Sequence, residues 1–177
     1  MLDSIKDCLK RAESSEDFKS WKKSHKNSYL CSAFMIGNDI SNKNWQLDFY
    51  DKDDQMITSI TEQNSSIMLK EQSIFKKPED EVKELKLDKI KIDLDKAIAK
   101  IDLLRKKKFP GENPSQKIFV LQHLDVITWN ITYINTSFNV LNVKIDAVKG
   151  NIIDKSLTSI LGFKDRKYDK SKTDKIF

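Results

Sequence analysis

Hydrophobic positions along the chain change period several times, and each change predicts an element. From Leu2 to Ala12 the apolar residues Leu2, Ile5, Leu9 and Ala12 recur at the spacing of one helical face. Ser14-Ser15-Glu16-Asp17 then offers a capping hydroxyl and early acids for a second helix through Phe18 and Trp21. Lys22, Lys23 and Lys26 fall where a helix C-terminus favours positive charge.

From Ser28 onward the period is two. Ser28–Ile36 is a β-rich apolar run stopped by the turn signal Gly37-Asn38. Trp45, Leu47 and Phe49 alternate with polar residues and share one face. A polar turn at Asp51-Lys52-Asp53-Asp54 separates them from strands predicted over Gln55–Ile60 and Ser66–Phe75. Lys76–Glu84 is charged, opened by Pro78, and reads as a linker.

The second half repeats this order. Asp93–Lys108 is the strongest helix, with Leu94, Ala97, Ile98, Ile101 and Leu104 on one face. Asp93 and Asp95 start it, Arg105 to Lys108 finish it, and Pro110-Gly111 stops it. Strands follow over Lys117–Leu124, Val126–Ile134 and Phe138–Asp146. In the middle one Trp129, Ile131 and Tyr133 point one way while Thr128, Asn130 and Thr132 point the other, so one sheet face is buried and one wet. The helix is expected to bury Leu94, Ile98 and Ile101 against Trp129, Ile131, Leu141 and Val143. A single offset aligns Trp45 with Trp129, Leu47 with Ile131, Phe49 with Tyr133, Met56 with Val140 and Ile57 with Leu141. The halves read as distant copies, although alternation alone would also produce such a match.

Composition limits the function classes. A chain of 177 residues holds one ordinary domain or two small ones, and four Gly with three Pro argue against low complexity. The formal charge of +5 comes from 32 basic and 27 acidic residues, an interleaved surface rather than a nucleic-acid binder's field. The two cysteines build no disulfide framework. Cys8 shares a helical face with Ile5 and Leu9, and Cys31 lies in the apolar run Tyr29–Ile36, so burial is expected for both, with a disulfide between them left open. The N-terminal residues lack a signal-peptide core and no window approaches the roughly 20 apolar residues that span a bilayer. A cytoplasmic protein without membrane contact is expected.

Candidate chemistry is sparse. His25 and His123, the two histidines, have no cysteine or carboxylate at ligand spacing beside them, so no metal site is expected. Asp51, Asp53 and Asp54 lack the central Gly and late Glu of a calcium loop and read as a solvated turn. Gly37, Gly111, Gly150 and Gly162 are isolated, which leaves no phosphate-binding loop and no cofactor. Trp45 and Trp129 are expected beneath a helix rather than in a ligand groove. Arg105, Lys106, Lys107 and Lys108, with Lys117 nearby and the basic tail Lys164–Lys175, form the densest electrostatic patch; Phe109 beside it could stack on a base. Thr128, Asn130, Thr132 and Asn142 form a flat polar surface, the candidate partner surface.

The segment Ile92–Ile153 resembles the PepSY family through "IDLDKAIAKI", "ITWNITYI" and "NVKIDAVKGNII". Asp146-Ala147 followed by Gly150 matches the family's closing turn, where Gly permits a positive φ and Asp caps the turn. Residues 14–75 resemble the family more weakly and lack that signature. The resemblance implies helix-on-antiparallel-sheet modules with no catalytic role of their own. Such modules occur in propeptides of secreted metallopeptidases and in envelope proteins, where inhibition or chaperoning of a peptidase has been proposed. Together these readings predict an α+β fold, with helices packed on antiparallel sheet in two tandem PepSY-like (cystatin-like) units. The predicted division is a first unit over 1–78, a linker over 79–91, a second unit over 92–160 and a flexible basic tail over 161–177. The function expected is a non-enzymatic protein-binding or regulatory module acting through the polar sheet face or a strand edge. The alternative is nucleic-acid binding through residues 105–108 and the tail. A small-ligand pocket between helix and sheet is the third, weaker option.

Overall fold

The structure, a computed structural model, describes residues 2–38, 44–64, 66–73 and 81–161. It opens with α1 (Leu2–Ser14) and α2 (Glu16–Ser24), followed by β1 (Tyr29–Ile36), β2 (Gln46–Asp51), β3 (Met56–Gln63) and β4 (Ser66–Ser73). A 3-10 turn (Leu87–Lys89) leads to α3 (Leu94–Lys108), then β5 (Pro114–His123), β6 (Ile127–Asn135), β7 (Asn139–Asp146) and β8 (Ile152–Ser159). The fold is α+β, as the patterning predicts. The helix starts follow the capping rules: Ser15 Oγ accepts from Phe18 N at 3.2 Å, and Asp93 Oδ1 accepts from Lys96 N at 2.9 Å.

All eight strands form one antiparallel sheet in the order β4-β3-β2-β1-β5-β6-β7-β8. Each half runs from helix to a four-stranded meander, and the first strands of the two halves pair with each other. Phe34 lies opposite Val120 and Met35 opposite Phe119. This pairing gives β1 and β5 a second neighbour each and, among the described residues, leaves β4 and β8 as the edges. The strand β8 has no counterpart in the sequence reading. Its residues Asp154, Lys155 and Ser156 are exposed on both faces of an edge, so no alternation marks it.

The helices lie on one side of this sheet. Trp45, Leu47 and Phe49 from the first half and Trp129, Ile131 and Tyr133 from the second join Leu94, Ala97 and Ile101 of α3 in one core. Burying a side chain of this size stabilises by roughly 1.5–3 kcal/mol. Phe18 and Trp21 of α2 close on Phe49 with ring centroids 5.3 and 5.7 Å away. On α3 the expected face meets the core: Leu94, Ala97 and Ile101 are buried in it, and Ile98 and Leu104 pack against it half-buried.

The stretch expected to be a linker is built into that core over its described part, residues 81–91. Leu85 N donates to Leu30 O at 2.8 Å, past the end of β5, while Leu85, Leu87 and Ile90 are buried. The closing turn holds the other end of this segment. Asp146 Oδ1 accepts from Val148 N (2.8 Å) and Lys149 N (2.9 Å), and Gly150 has φ of +79°. Ala147 O then accepts from both Lys91 N and Ile92 N at 2.9 Å, fastening the start of α3 to the sheet. The tail from residue 162 and the linker residues 79–80 lie outside the described residues.

Candidate functional site

With α1, α2 and α3 on one side, the other side of the sheet carries the residues that alternate out of the core. The candidate partner surface lies there, with one correction. Thr128 is only 1 % exposed and its hydroxyl donates to Val126 O at 2.8 Å, so it is a strand-end residue and offers nothing to a partner. Asn130, Thr132 and Asn142 are half-buried and bonded to each other: Asn142 Nδ2 donates to Asn130 Oδ1 and Thr132 Oγ1, both at 2.8 Å.

A second polar network, which alternation in β2 alone does not single out, lies on the same side in the first half. Asp48 accepts from Ser32 Oγ (2.6 Å), Ser59 Oγ (2.7 Å) and Gln46 Nε2 (2.8 Å), which joins β1, β2 and β3. Between the two networks the strand register places an apolar centre. Phe34 faces Val120 and Ile36 faces Ile118 across the β1–β5 seam. Ile36 is 50 % exposed. The open side is therefore amphipathic, polar to left and right and apolar where the halves join.

The electrostatic patch is also divided. Arg105 is folded onto the protein, its side chain 13 % exposed, with Nη1 donating to Glu112 O at 2.7 Å and Nε 3.8 Å from Asp102 Oδ1. Lys106, Lys107 and Lys108 are exposed. Lys117 Nζ lies 5.2 Å from the Tyr133 ring centroid, and Phe109 is half-buried and packs against the core. The basic tail lies outside the described residues.

Trp45 and Trp129 are buried beneath the helices, as expected. Trp45 Nε1 donates to Ser4 Oγ of α1 (3.1 Å) and Trp129 Nε1 to Ile92 O (2.8 Å). Where the sheet meets α1, α2 and residues 84–88, a groove of about 580 Å³ opens, lined by Leu9, Phe18, Tyr29, Leu30, Phe49 and Leu85. Charged groups also line it: Lys22 Nζ donates to Ser28 O and Oγ at 2.5 and 2.8 Å, with burial lowering its pKa, and Lys86 Nζ lies 3.6 Å from Glu84 Oε2 beside Glu13 and Asp88.

The acidic turn departs from its solvated reading. Asp53 and Asp54 are exposed, but Asp51 is 2 % exposed and sits on the helix-covered side. His123 Nδ1 lies 2.8 Å from Glu84 O and has a structural partner. Among the described residues, no helix is long and apolar enough to cross a membrane.

No protein-family model matches the chain, and no curated protein matches it in sequence. Among solved structures it is similar to a "putative lipoprotein" of Clostridium difficile 630, with a TM-score of 0.50 and 14% identity. The match covers 81% of this chain and 91% of that one. At this identity the likeness shows the fold alone: helices on a broad antiparallel sheet recur in another protein over nearly its whole length.

Proposed function

We propose that the chain is a non-enzymatic protein-binding module of PepSY-like character, built from two tandem units, which engages a partner through the open side of its sheet. The observation that carries this reading is the amphipathic character of that side. An apolar centre at Phe34, Ile36, Ile118 and Val120 is bordered by the Asn142 and Asp48 networks. Interfaces of this composition bury an apolar middle and hold register with a polar rim. The networks hold the side chains in place across strands, and the amide groups they leave over (Asn130 Nδ2, Asn142 Oδ1) are available to a partner's polar rim. The resemblance around Asp146, Ala147 and Gly150 supports the same class of role.

The test is affinity capture with the full chain and three variants. Val120→Lys and Asn130→Arg alter the open side, and Lys107→Glu alters the exposed end of α3. The reading requires a specific protein captured by wild type and Lys107→Glu and lost with both open-side variants. Capture that survives both open-side variants overturns it. Salt-sensitive retention of nucleic acid that Lys107→Glu abolishes would replace it with the alternative.

A further inference from the structure

The end of α2 meets the β2–β3 turn at a cluster that neither the core nor the open side uses. His25 caps α2, its backbone N–H donating to Trp21 O, and its ring stacks on Trp21 at 4.8 Å and 17°. His25 Nδ1 lies 2.9 Å from Trp21 O. Ser24 Oγ lies 3.1 Å from the same nitrogen and donates to Trp21 O at 2.9 Å. A carbonyl can only accept, so with Nδ1–H donating to it a neutral ring leaves its lone pair on Nε2. That nitrogen faces carboxylates, with Glu71 Oε1 at 3.6 Å and Asp54 Oδ2 at 3.9 Å. One ligand atom each from His25, Asp51 and Asp54 lie within 4.8 Å of one another.

Asp51 adds an independent sign. It is only 2 % exposed, and its Oδ1 accepts from Asp53 N at 2.8 Å. Its Oδ2 is buried with no hydrogen-bond partner. An ionised carboxylate oxygen without a partner is costly in the interior, and the nearby helix C-terminus adds to the cost. Lys22 acts on Asp51 only through space, because its ammonium group is held by Ser28.

We propose that His25 Nε2, Asp51 Oδ2 and Asp54 Oδ2 bind a divalent transition cation of the zinc class, with Glu71 as the fourth ligand. Imidazole combined with carboxylates suits zinc and its neighbours, whereas calcium and magnesium take oxygen-only shells. The Nδ1–H bond to a backbone carbonyl is the outer-shell contact that orients metal-bound histidines. Ligand bonds of about 2.0–2.2 Å need the donor atoms somewhat closer together than they lie here. The two partners that must move are the free ones: the side chains of Asp54 and Glu71 are 64% and 54% exposed, while that of His25 is 17% exposed. Bound there, the cation would tie α2, the end of β2, the β2–β3 turn and the edge strand β4 together.

The rival state is metal-free, with a protonated His25 paired to the same carboxylates, and zinc titration separates the two. The chelator-treated full chain is titrated calorimetrically with Zn²⁺, Ca²⁺ and Mg²⁺ at neutral pH, and melted with and without each. The expected result is one zinc bound per chain, a melting temperature raised by zinc, and no saturable response to calcium or magnesium. His25→Gln and Asp54→Asn each lower zinc affinity by more than about tenfold, while His123→Gln leaves it unchanged. Asp51→Asn is nearly isosteric and removes a buried charge, so it folds at least as well as wild type without metal and still loses zinc. The proposal is overturned if wild type shows no saturable zinc binding. It is equally overturned if Asp51→Asn and Asp54→Asn bind as wild type, or if His123→Gln removes the binding.

Discussion

Trp45 and Trp129 meet beneath the helix layer, their ring centroids 6.3 Å apart and tilted by 47°. They occupy matching positions in the two halves, one just before β2 and one in β6, and reach over the β1–β5 seam to do so. Each indole N–H is satisfied from a different element, Ser4 of α1 and Ile92 ahead of α3. The contact therefore links the two halves on the core side, as β1–β5 pairing links them along the backbone.

Truncating either indole should show this coupling. Trp45→Ala and Trp129→Ala are each expected to cost about 3–5 kcal/mol in urea unfolding. The double variant should cost less than the sum by about 0.5–3 kcal/mol. Strict additivity would mean that the ring contact carries no energy of its own.

The closing turn offers a second test. Asp146→Ala strands the N–H groups of Val148 and Lys149 and should destabilise by about 1–3 kcal/mol. Gly150→Ala should also destabilise, because φ is +79° and a Cβ would come within 3.0 Å of Ile92 Cδ1. Denaturation midpoints read both, and a neutral Gly150→Ala would contradict the left-handed geometry.

Glu112 should set part of the acid sensitivity. Hydrogen bonds from Ser137 Oγ (2.5 Å) and Asn139 Nδ2 (2.6 Å) to its carboxylate hold its pKa below the ordinary value. A carboxylate with a depressed folded pKa stabilises fully above its unfolded pKa of about 4.3 and loses that contribution as pH falls through the lower folded value. Wild type should therefore lose more stability than Glu112→Gln as the pH falls from about 5 to about 3. Parallel curves would show that the hydrogen bonds do not favour the charged form.

Both thiols should be inert in the native state. Burial pushes Cys31 up to about 12 and also raises Cys8, while Cys31 Sγ donates to Asp48 O at 3.2 Å. Neither should react with iodoacetamide at pH 8 until denaturant is added, when both should. Rapid native labelling of Cys31 would mean that the start of β1 opens readily.

The amino-acid sequence determined what depends on neighbours within one element. The α2 and α3 boundaries, the inward set Trp129, Ile131 and Tyr133, the buried cysteines and the turn at Asp146 and Gly150 all follow from side-chain period, capping and φ preference. These are local properties, so a short window carries them. The tertiary structure decided what depends on which distant surfaces meet. Pairing of β1 with β5 joined two helix-and-strand halves into one sheet and one core, and packing drew Leu85, Leu87 and Ile90 into it. β8 became a strand because β7 offered it an edge, not because its own residues alternate. Thr128 and Arg105 look like surface groups in sequence, but burial and hydrogen bonds at their element ends withdrew them. Conversely, His25, Asp51, Asp54 and Glu71 follow no ligand spacing along the chain. They converge because α2 folds back over the ends of β2, β3 and β4, and chain periodicity carries no information about a meeting of that kind.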